Sequence, residues 1–307
     1  MYNFIDLFAG IGGFRVSMER LGMKCVFSSE IDEHARMVYQ RNFNDNPRGD
    51  ICEINAREIP KHDILCAGFP CQSFSIAGKK GGMDDRRGRL FYEILRVVEY
   101  HKPLVLLLEN VRNILTVDGG DVMKTIEARL DEAGYSVHYS LLDASDYGIP
   151  QKRERVYFAC VRKGTGLRYK EPKPDRKDIF LKDVLDDFVD ERLIIRRDDI
   201  TIEKDGEPEP AHKPIRIGHL NKGGQGERIY HPNGHAITLA ADSGGVGSRT
   251  GLYLVDGVVR RLSISECKRL MGFDVNHVTD VGARGYRQLG NAVIPDMVTR
   301  AYDSIVI

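Results

Sequence analysis

Hydrophobic positions in the first 162 residues fall into short apolar runs separated by longer amphipathic stretches. The runs occupy residues 4–8, 25–29, 64–67 and 104–108, and each is bounded by polar or glycine-rich sequence. Runs of this length predict buried strands, and the intervening stretches have the length and spacing of helices. Alternating strands and helices are typical of an α/β fold with a doubly wound, mostly parallel sheet covered on both faces.

The pattern changes after Pro172 and Pro174. Residues 178–284 contain short strand-like runs, proline-rich links and glycine turns, which predict a smaller, irregular and strand-rich domain. Residues 297–307 have a helical pattern again, and we expect this helix to pack back on the first sheet. The sequence therefore predicts one domain of residues 1–177 completed by 285–307, and a second domain of residues 178–284.

The segment after the first apolar run predicts a nucleotide site. Small residues at 9–13 separate the run from a helical pattern that continues to Leu21. A strand, a glycine turn and a helix in this order let a ligand approach the backbone closely. Glu30 ends the second run about 20 residues after the first glycine, as expected for a carboxylate on ribose hydroxyls, and Asp50 ends a third unit similarly. NAD and S-adenosylmethionine sites share these features, so both cofactors stay open at this point.

Cys71 is a candidate nucleophile. It follows Pro70 at the end of an apolar run and opens a loop rich in Ser, Gly and Lys. A thiol reacts as the thiolate, so a catalytic Cys needs surroundings that favour ionisation, and a strand end beside a basic loop can supply them. An isolated free Cys is more often a small buried side chain.

Charged residues follow two other predicted strands. Glu109 comes directly after a buried run, where a carboxylate in a half-buried cleft can hold or pass a proton. Alternation at the start of a further strand places Arg153 and Arg155 on one face, and two guanidinium groups suit carbonyl, carboxylate or phosphate oxygens. As an isolated feature, Glu109 is equally typical of a helix cap, and the Arg pair is more typical of ordinary surface charge.

Six segments in order resemble the C5-cytosine DNA methyltransferase family: residues 8–14, 68–72, 109–111, 151–155, 261–267 and 288–293. The resemblance spans essentially the whole chain. It is particularly strong to the HhaI-type bacterial modification enzymes, through residues 223–230 and 236–239. It implies a Rossmann-like, class I S-adenosylmethionine-dependent methyltransferase fold with a target-recognition domain.

The resemblance also implies a reaction and a set of roles. Methyl would pass from S-adenosylmethionine to C5 of a cytosine flipped out of duplex DNA, within a GCGC-like palindrome, without a metal. Cys71 would add to C6, Glu109 would hold or protonate N3, Arg155 would contact the base carbonyl, and Arg153 would support the nucleophile loop and a nearby phosphate. Residues 75–88 would form a closing lid.

The cofactor contacts implied by the resemblance are Phe8, Ala9, Gly10, Ile11, Gly13, Glu30, Ile31, Asp50, Ile51, Gly68, Pro70, Leu90, Asn291, Ala292 and Val293. The implied DNA contacts are Gln72, Ser75, Ala77, Lys79, Arg87, Gln225, Glu227, Arg228, Thr238, Asp242, Gly244 and Gly245. Gln225 would fill the space of the flipped base, and Arg228 would read a guanine edge.

Three positions depart from the HhaI-type pattern. Ile31 stands where that pattern has Trp after the ribose carboxylate, so adenine stacking becomes aliphatic contact. Ala77 replaces a Ser in the lid, and Asp242 replaces a Tyr in a recognition loop. An aspartate favours a cytosine amino group or repels phosphate, so these changes bear on target identity more than on chemistry.

Composition fits a cytoplasmic enzyme. The 307 residues, 42% of them hydrophobic, can bury a large core and form two domains. The six cysteines have no Cys-x-x-Cys spacing, which indicates neither a zinc site nor a disulfide framework and fits a reducing compartment. We see no signal segment or apolar stretch of membrane length. We expect a monomer in a bacterial or phage-infected cytoplasm, acting on the same site as a cognate endonuclease if one exists.

Charge is uneven along a chain that is neutral as a whole. It has 45 basic and 45 acidic residues, but residues 145–177 carry ten basic against four acidic, and residues 178–191 carry six acidic against one basic. A basic face and an acidic back would allow DNA binding at zero net charge. A charge run by itself is more typical of a solvated surface.

Three alternatives stay open. A tRNA methyltransferase of the same superfamily would keep the catalytic residues, but the Cys-Phe-Thr marker of that branch is absent. A nicotinamide oxidoreductase would explain the glycine turn and leave the Pro-Cys and Gln-Lys-Arg-Glu-Arg segments without a role. A non-catalytic DNA-binding regulator would require a damaged catalytic set, and the set is intact.

Overall fold

The computed structural model describes residues 1–70, 89–204, 206–242 and 244–306, and the chain divides into two compact units. The first unit comprises Met1–Leu142, Glu154–Lys173 and Pro295–Ile307, and the second comprises Asp143–Arg153 and Pro174–Ile294. Residues 143–153, 174–177 and 285–294, assigned by the sequence to the first domain, fall in the second compact unit. The assignment of functions to the domains stays a prediction.

Strands form the centre of the first unit. They are β1 (Asn3–Leu7), β2 (Lys24–Ser29), β3 (Ile64–Gly68), β4 (Val105–Val111), β5 (Tyr135–Ser136), β6 (Tyr139–Asp143), β7 (Glu154–Arg162) and β8 (Arg168–Tyr169). The sheet order is β2-β1-β3-β4-β7-β5, with β6 also paired to β7. The first four strands are parallel, and β7 is antiparallel to β4 and β5. This mixed, mostly parallel sheet confirms the predicted fold class.

Among the described residues, five helices of the first unit cover the sheet, and two further helices belong to the second unit. They are α1 (Gly13–Arg20), α2 (Glu33–Phe43), α3 (Arg89–His101), α4 (Asp121–Glu132), α5 (Ile264–Leu270), α6 (Gly282–Asn291) and α7 (Pro295–Asp303), with α5 and α6 in the second unit. Ile5 and Leu7 of β1 are fully buried in a core with α3 and α4 side chains. On α1, the Ser17 hydroxyl lies 2.8 Å from the Thr299 hydroxyl of α7, because these two helices pack together.

The second unit contains a smaller sheet. Its strands are β9 (Ile200–Ile202), β10 (Ile215–Leu220), β11 (Arg228–His231), β12 (Leu252–Val255) and β13 (Val258–Arg260), in the order β13-β12-β11-β10-β9. Strands β11 and β12 are parallel, and the other described strand pairs of this sheet are antiparallel. Its apolar face buries Ile217, Leu220, Ile229, Leu252 and Val259. A last short strand, β14 (Ile305–Val306), pairs with β8 of the first unit.

None of the helices in the described ranges has the length and apolar character that a membrane span requires.

Candidate active site

The carboxyl ends of β3 and β4 lie side by side and present the predicted acid. Glu109 in β4 pairs in register with Gly68, the last residue of β3. The Asn110 side-chain amide donates to the carbonyl of Phe69 at 2.9 Å, and its Oδ1 accepts the Val111 amide at 2.9 Å. The chain that leaves β3 towards the Pro-Cys pair is therefore fixed beside Glu109.

The nucleophile and the whole predicted lid lie outside the described residues. The predicted site residues in this part of the chain are Cys71, Gln72, Ser75, Ala77, Lys79 and Arg87. Pro70, the last described residue before them, is exposed.

Arg155 forms an ion pair with Glu109 inside the first unit. Its Nε lies 3.2 Å from Glu109 Oε1, and the two side chains are only 14% and 11% exposed. Its Nη1 also donates to the main-chain carbonyl of Glu154 at 2.8 Å. A guanidinium has five N–H donors in a fixed plane, so Arg155 can keep both contacts and still donate to a further oxygen. The pair thus places a carboxylate and a cation at one strand edge.

Arg153 has different surroundings from Arg155. It is 3% exposed, and its guanidinium donates to the main-chain carbonyls of Leu239, Gly290 and Ala292 at 3.0, 3.0 and 2.9 Å. All four residues belong to the second unit. Contacts to neutral carbonyls position backbone segments, and the catalytic role implied by the resemblance stays a prediction for this residue.

The glycine turn between β1 and α1 fits a nucleotide cofactor. Phe8, Gly10 and Gly12 have positive φ angles of 56, 54 and 92°, so the backbone turns sharply between strand and helix. A Cβ added at Gly10 would meet no atom within 4 Å, whereas one at Gly12 would lie 2.3 Å from the Phe43 ring. Open space at Gly10 is what close approach of a ligand to the backbone requires.

Glu30 is tied to this turn. Its Oε2 accepts the Gly10 amide at 2.8 Å and its Oε1 accepts the Asp32 amide at 2.8 Å. Burial raises the pKa of the Glu30 carboxyl, and the two amide donors oppose that rise. A carboxylate has about four acceptor sites, so after its amide contacts Glu30 can still accept from a ribose hydroxyl. Beside it, Ile31 is 69% exposed, so an apolar surface is available to a flat ring.

The other predicted cofactor residues differ in burial and in unit. Asp50 caps a short 3₁₀ helix by accepting the Cys52 amide at 2.9 Å, and Ile51 is buried in the apolar core. The remaining positions of the first unit are Ala9, Ile11 and Gly13, which are buried, and Gly68 and Leu90, which are half-buried. Asn291, Ala292 and Val293 follow from the end of α6 in the second unit.

Two glycine turns of the predicted recognition region pack main chain against main chain. The Gly247 amide donates to the Gly226 carbonyl at 2.7 Å. A Cβ on Gly226 would lie 2.4 Å from the Gly244 carbonyl oxygen, and one on Gly245 would lie 3.3 Å from the Gln225 carbonyl oxygen. Only glycine allows this approach, so the turns at 223–226 and 244–247 form one element that we call the glycine pair.

Predicted DNA-contacting side chains lie around the glycine pair. Gln225 and Arg228 are exposed. Glu227 accepts the Asn221 side-chain amide at 3.1 Å and the Gly224 amide at 2.8 Å, and these donors lower its pKa, the Asn221 contact most. Glu227 thereby holds the first turn closed and leaves its neighbours available to a ligand.

Thr238 and Asp242 have protein partners. The Thr238 hydroxyl donates to the Lys152 carbonyl. Asp242 accepts from Arg287 Nη2 of α6 at 2.8 Å, with both side chains more than half exposed. Arg287 therefore offsets the negative charge at the position where the HhaI-type pattern has Tyr.

Sequence reasoning did not assign roles to Asn110, Gln151, Phe43 or Arg287. Asn110 and Gln151 lie inside the quoted family segments, so their position next to Glu109 and Arg153 was the available signal. Phe43 and Arg287 act over long sequence separations, and nothing local to them indicates their partners.

The fold and the site together define a class I methyltransferase: a mostly parallel sheet, a glycine turn bonded to a carboxylate, and a Glu-Arg pair beside the entry to a Pro-Cys segment. The family model described as C-5 cytosine-specific DNA methylase matches residues 2–306, and the chain belongs to this family. It is thus a DNA cytosine-5-methyltransferase, as the resemblance predicts. The family implies S-adenosylmethionine as the methyl donor and DNA as the substrate.

Two relatives show the extent of the similarity. The chain is 46% identical to the Type II methyltransferase M.HhaI of Haemophilus parahaemolyticus, over 95% of this chain and 90% of that protein. It is 39% identical to the Type II methyltransferase M.MspI of Moraxella sp, over 99% of this chain and 70% of that protein.

Solved structures share the fold at lower identity. DNMT2 of Spodoptera frugiperda superposes with a TM-score of 0.77 at 17% identity, over 99% of each chain. A putative DNA modification methyltransferase encoded within an E. coli prophage superposes with a TM-score of 0.72 at 24% identity, over 99% of this chain and 98% of that chain. At these identities the likeness supports the fold alone.

Within the described ranges, no group of three or more His, Cys, Asp or Glu side chains is arranged to hold a metal ion.

Proposed function

We propose that this enzyme is the modification methyltransferase of a Type II restriction-modification system, acting as a monomer on cytosine in a GCGC-like palindrome of duplex DNA. The observation that carries the chemistry is the Glu109–Arg155 pair beside the Asn110-anchored chain that leads to Cys71. The Type II names of the two relatives support the biological setting.

The pyrimidine needs activation before it can accept a methyl group, because C5 of cytosine is a poor nucleophile. In the proposed reaction the Cys71 thiolate bonds to C6, which raises electron density at C5. Glu109 holds a proton at N3, so that the ring does not carry a full negative charge. Arg155 donates to the base carbonyl oxygen, and charge that develops there is stabilised by a group already held in place.

S-adenosylmethionine supplies an electrophilic methyl group on a sulfonium. Glu30 would bind the ribose hydroxyls, the main chain at Gly10 would allow close approach, and Ile31 would contact the adenine. The resemblance implies cofactor contacts for Asn291, Ala292 and Val293 as well, and we propose that role for them. After methyl transfer, loss of the C5 proton and release of the Cys71 thiolate restore the aromatic ring.

The catalytic groups reach the target only if the base leaves the helix, so we propose that the cytosine is flipped out. Residues 75–88 would close over it. The glycine pair would approach the DNA, with Gln225 in the vacated space and Arg228 on a guanine edge. The match at residues 223–230 supports the GCGC-like target, and the departure at Asp242 weighs against an identical one.

Trapping tests the nucleophile directly. Duplexes that contain 5-fluorocytosine at the target should form a denaturant-stable adduct with the wild type, because fluorine cannot leave as a proton. Cys71→Ala should form no adduct and transfer no methyl, yet still bind duplex. An active Ala variant would contradict the proposed attack.

Two Glu→Gln variants distinguish a catalytic role of Glu109 from the general effect of losing a carboxylate. Glu109→Gln should lower the single-turnover rate by roughly 10²-fold or more, while S-adenosylmethionine affinity stays within about twofold. Glu154→Gln is the matched control, because Glu154 forms a more exposed pair with Arg112 at 2.7 Å. Equal losses in both variants would argue against a special role for Glu109.

Two experiments determine the substrate class and the target sequence. Labelled methyl transfer to duplex DNA and to tRNA separates the DNA assignment from the tRNA alternative. Base-resolution mapping of methylated genomic DNA then gives the target, and modification outside any site with alternating guanine and cytosine would reject the GCGC-like proposal.

A further inference from the structure

We propose that Gln151 is a positioning residue for target recognition, which fixes residues 236–239 and thereby the turn at 244–247 that follows them. The proposal rests on the proposed DNA-recognition role of this region. Gln151 is fully buried, and both ends of its side-chain amide have partners within the second unit.

Main-chain hydrogen bonds align residues 150–152 with residues 236–239 only at Ala236, where the second segment begins. The Ala236 amide donates to the Pro150 carbonyl and the Lys152 amide donates to the Ala236 carbonyl, each at 2.8 Å. At Leu239, side chains make the contacts instead. Gln151 Oε1 accepts the Leu239 amide at 3.1 Å, and Arg153 Nη1 donates to the Leu239 carbonyl at 3.0 Å.

Leu239 depends on these partners because it is 2% exposed. A buried main-chain amide without an acceptor costs free energy, so loss of Gln151 Oε1 would favour movement of the segment. Gln151 Nε2 donates to the Leu270 carbonyl at 3.0 Å, one of the last carbonyls of α5, which lack a partner within the helix. Gln151 therefore ties the recognition segment to the end of a helix.

The position of Leu239 also fixes the predicted DNA contacts that follow it in the chain, because the segment after Leu239 packs against α6. A Cβ on Gly290 of α6 would lie 2.5 Å from the Ala241 amide nitrogen, so α6 lies directly against the peptide that follows Leu239. Asp242 and Gly244 come next in the chain. A shift at Leu239 thus moves the residues proposed to read the target, whereas the glycine turn at Gly10 belongs to the first unit.

Gln151→Met has a similar volume and removes the hydrogen bonds to the Leu239 amide and the Leu270 carbonyl, together with the longer one to Met271 Sδ at 3.5 Å. The matched control is Gln288→Met, because Gln288 is also buried in the second unit and makes two bonds, accepting the Asp280 amide and donating to Asp280 Oδ2, each at 2.9 Å. Both variants should lower the melting temperature. Only Gln151→Met should lose target discrimination.

Discrimination is measured as the ratio of kcat/KM on the mapped target to that on duplexes with one base pair changed. Gln151→Met should lower this ratio by about tenfold, the worth of one hydrogen bond, while S-adenosylmethionine affinity stays within about twofold. Gln288→Met should keep the wild-type ratio. Gln151→Glu retains an acceptor for the Leu239 amide and should recover discrimination, although its buried carboxyl lowers stability.

Two results would overturn the inference. One is a Gln151→Met enzyme with wild-type discrimination, which would make Gln151 a purely structural residue. The other is an equal loss in Gln288→Met, which would show general loosening of the unit. A wild type that methylates all duplexes equally would instead contradict the proposed recognition function itself.

Discussion

Gly10 and Gly12 lie in one turn, but substitution by Ala should mainly reduce stability at Gly12 and mainly reduce cofactor affinity at Gly10. At Gly12, an added methyl group would lie 2.3 and 2.6 Å from two ring atoms of Phe43, at a φ of 92°. Overpacking costs roughly 1–3 kcal/mol and a left-handed backbone costs roughly 1–2 kcal/mol for a residue other than glycine. Gly12→Ala should therefore lower the free energy of unfolding by about 2–5 kcal/mol.

Gly10→Ala has only the backbone cost of about 1–2 kcal/mol, because its methyl group would meet nothing within 4 Å. That open space is where we place the cofactor. Urea unfolding without cofactor should find Gly10→Ala the more stable of the two variants. Calorimetric titration should find its affinity for S-adenosylmethionine reduced by more than tenfold.

A double variant separates packing from backbone strain. Phe43→Leu should destabilise the wild type, yet in the Gly12→Ala background it should recover part of the loss, because the ring that clashes is gone. Additive effects of the two substitutions would refute the packing argument. Wild-type cofactor affinity in Gly10→Ala would refute the placement of the cofactor at this turn.

Three further outcomes follow from single contacts. Burial lowers the pKa of His62 from 6.5 to about 4, so its contribution to stability is complete above pH 6.5 and declines by roughly 1.4 kcal/mol per pH unit down to pH 4; His62→Phe should flatten that part of the urea-unfolding profile, and an unchanged slope would contradict this. Arg287→Ala should weaken duplex binding by exposing the Asp242 charge, whereas Arg284→Ala on the same helix should not, and equal binding curves at low salt would argue against the pair. Arg153→Lys should cost about 2–4 kcal/mol of unfolding free energy, because an ammonium lacks the planar guanidinium donors that reach the three carbonyls, and near wild-type urea stability would exclude this.

The sequence predicted those strands and turns that depend on interactions between residues close in the chain. The runs at 4–8 and 104–108 became strands because consecutive apolar residues fit a sheet buried on both faces. The contact between Glu30 and Gly10 was also within reach, because a strand-turn-helix unit sets the spacing between them. The family segments supplied the rest of the site.

Contacts between distant segments were beyond such reasoning. Gln151 meets partners 88 and 119 residues away, and no periodicity near Gln151 encodes which backbone groups lie opposite it. The alternation at Arg153 and Arg155 suggested a shared role. In the structure the chain passes from the second unit to the first between them, so one guanidinium holds backbone and the other pairs with Glu109.

The division of the chain has a consequence for attempts to exchange specificity between relatives. A recognition module cut at 174 and 294 looks contiguous, but it would leave Asp143–Arg153 behind in the recipient. The transplanted segment at 236–239 would then contact the recipient's own residues at positions 151 and 153, which evolved to bond a different backbone. Both pieces should therefore be transferred together. Chimaeras built from the single contiguous piece should express as folded enzymes with reduced target discrimination.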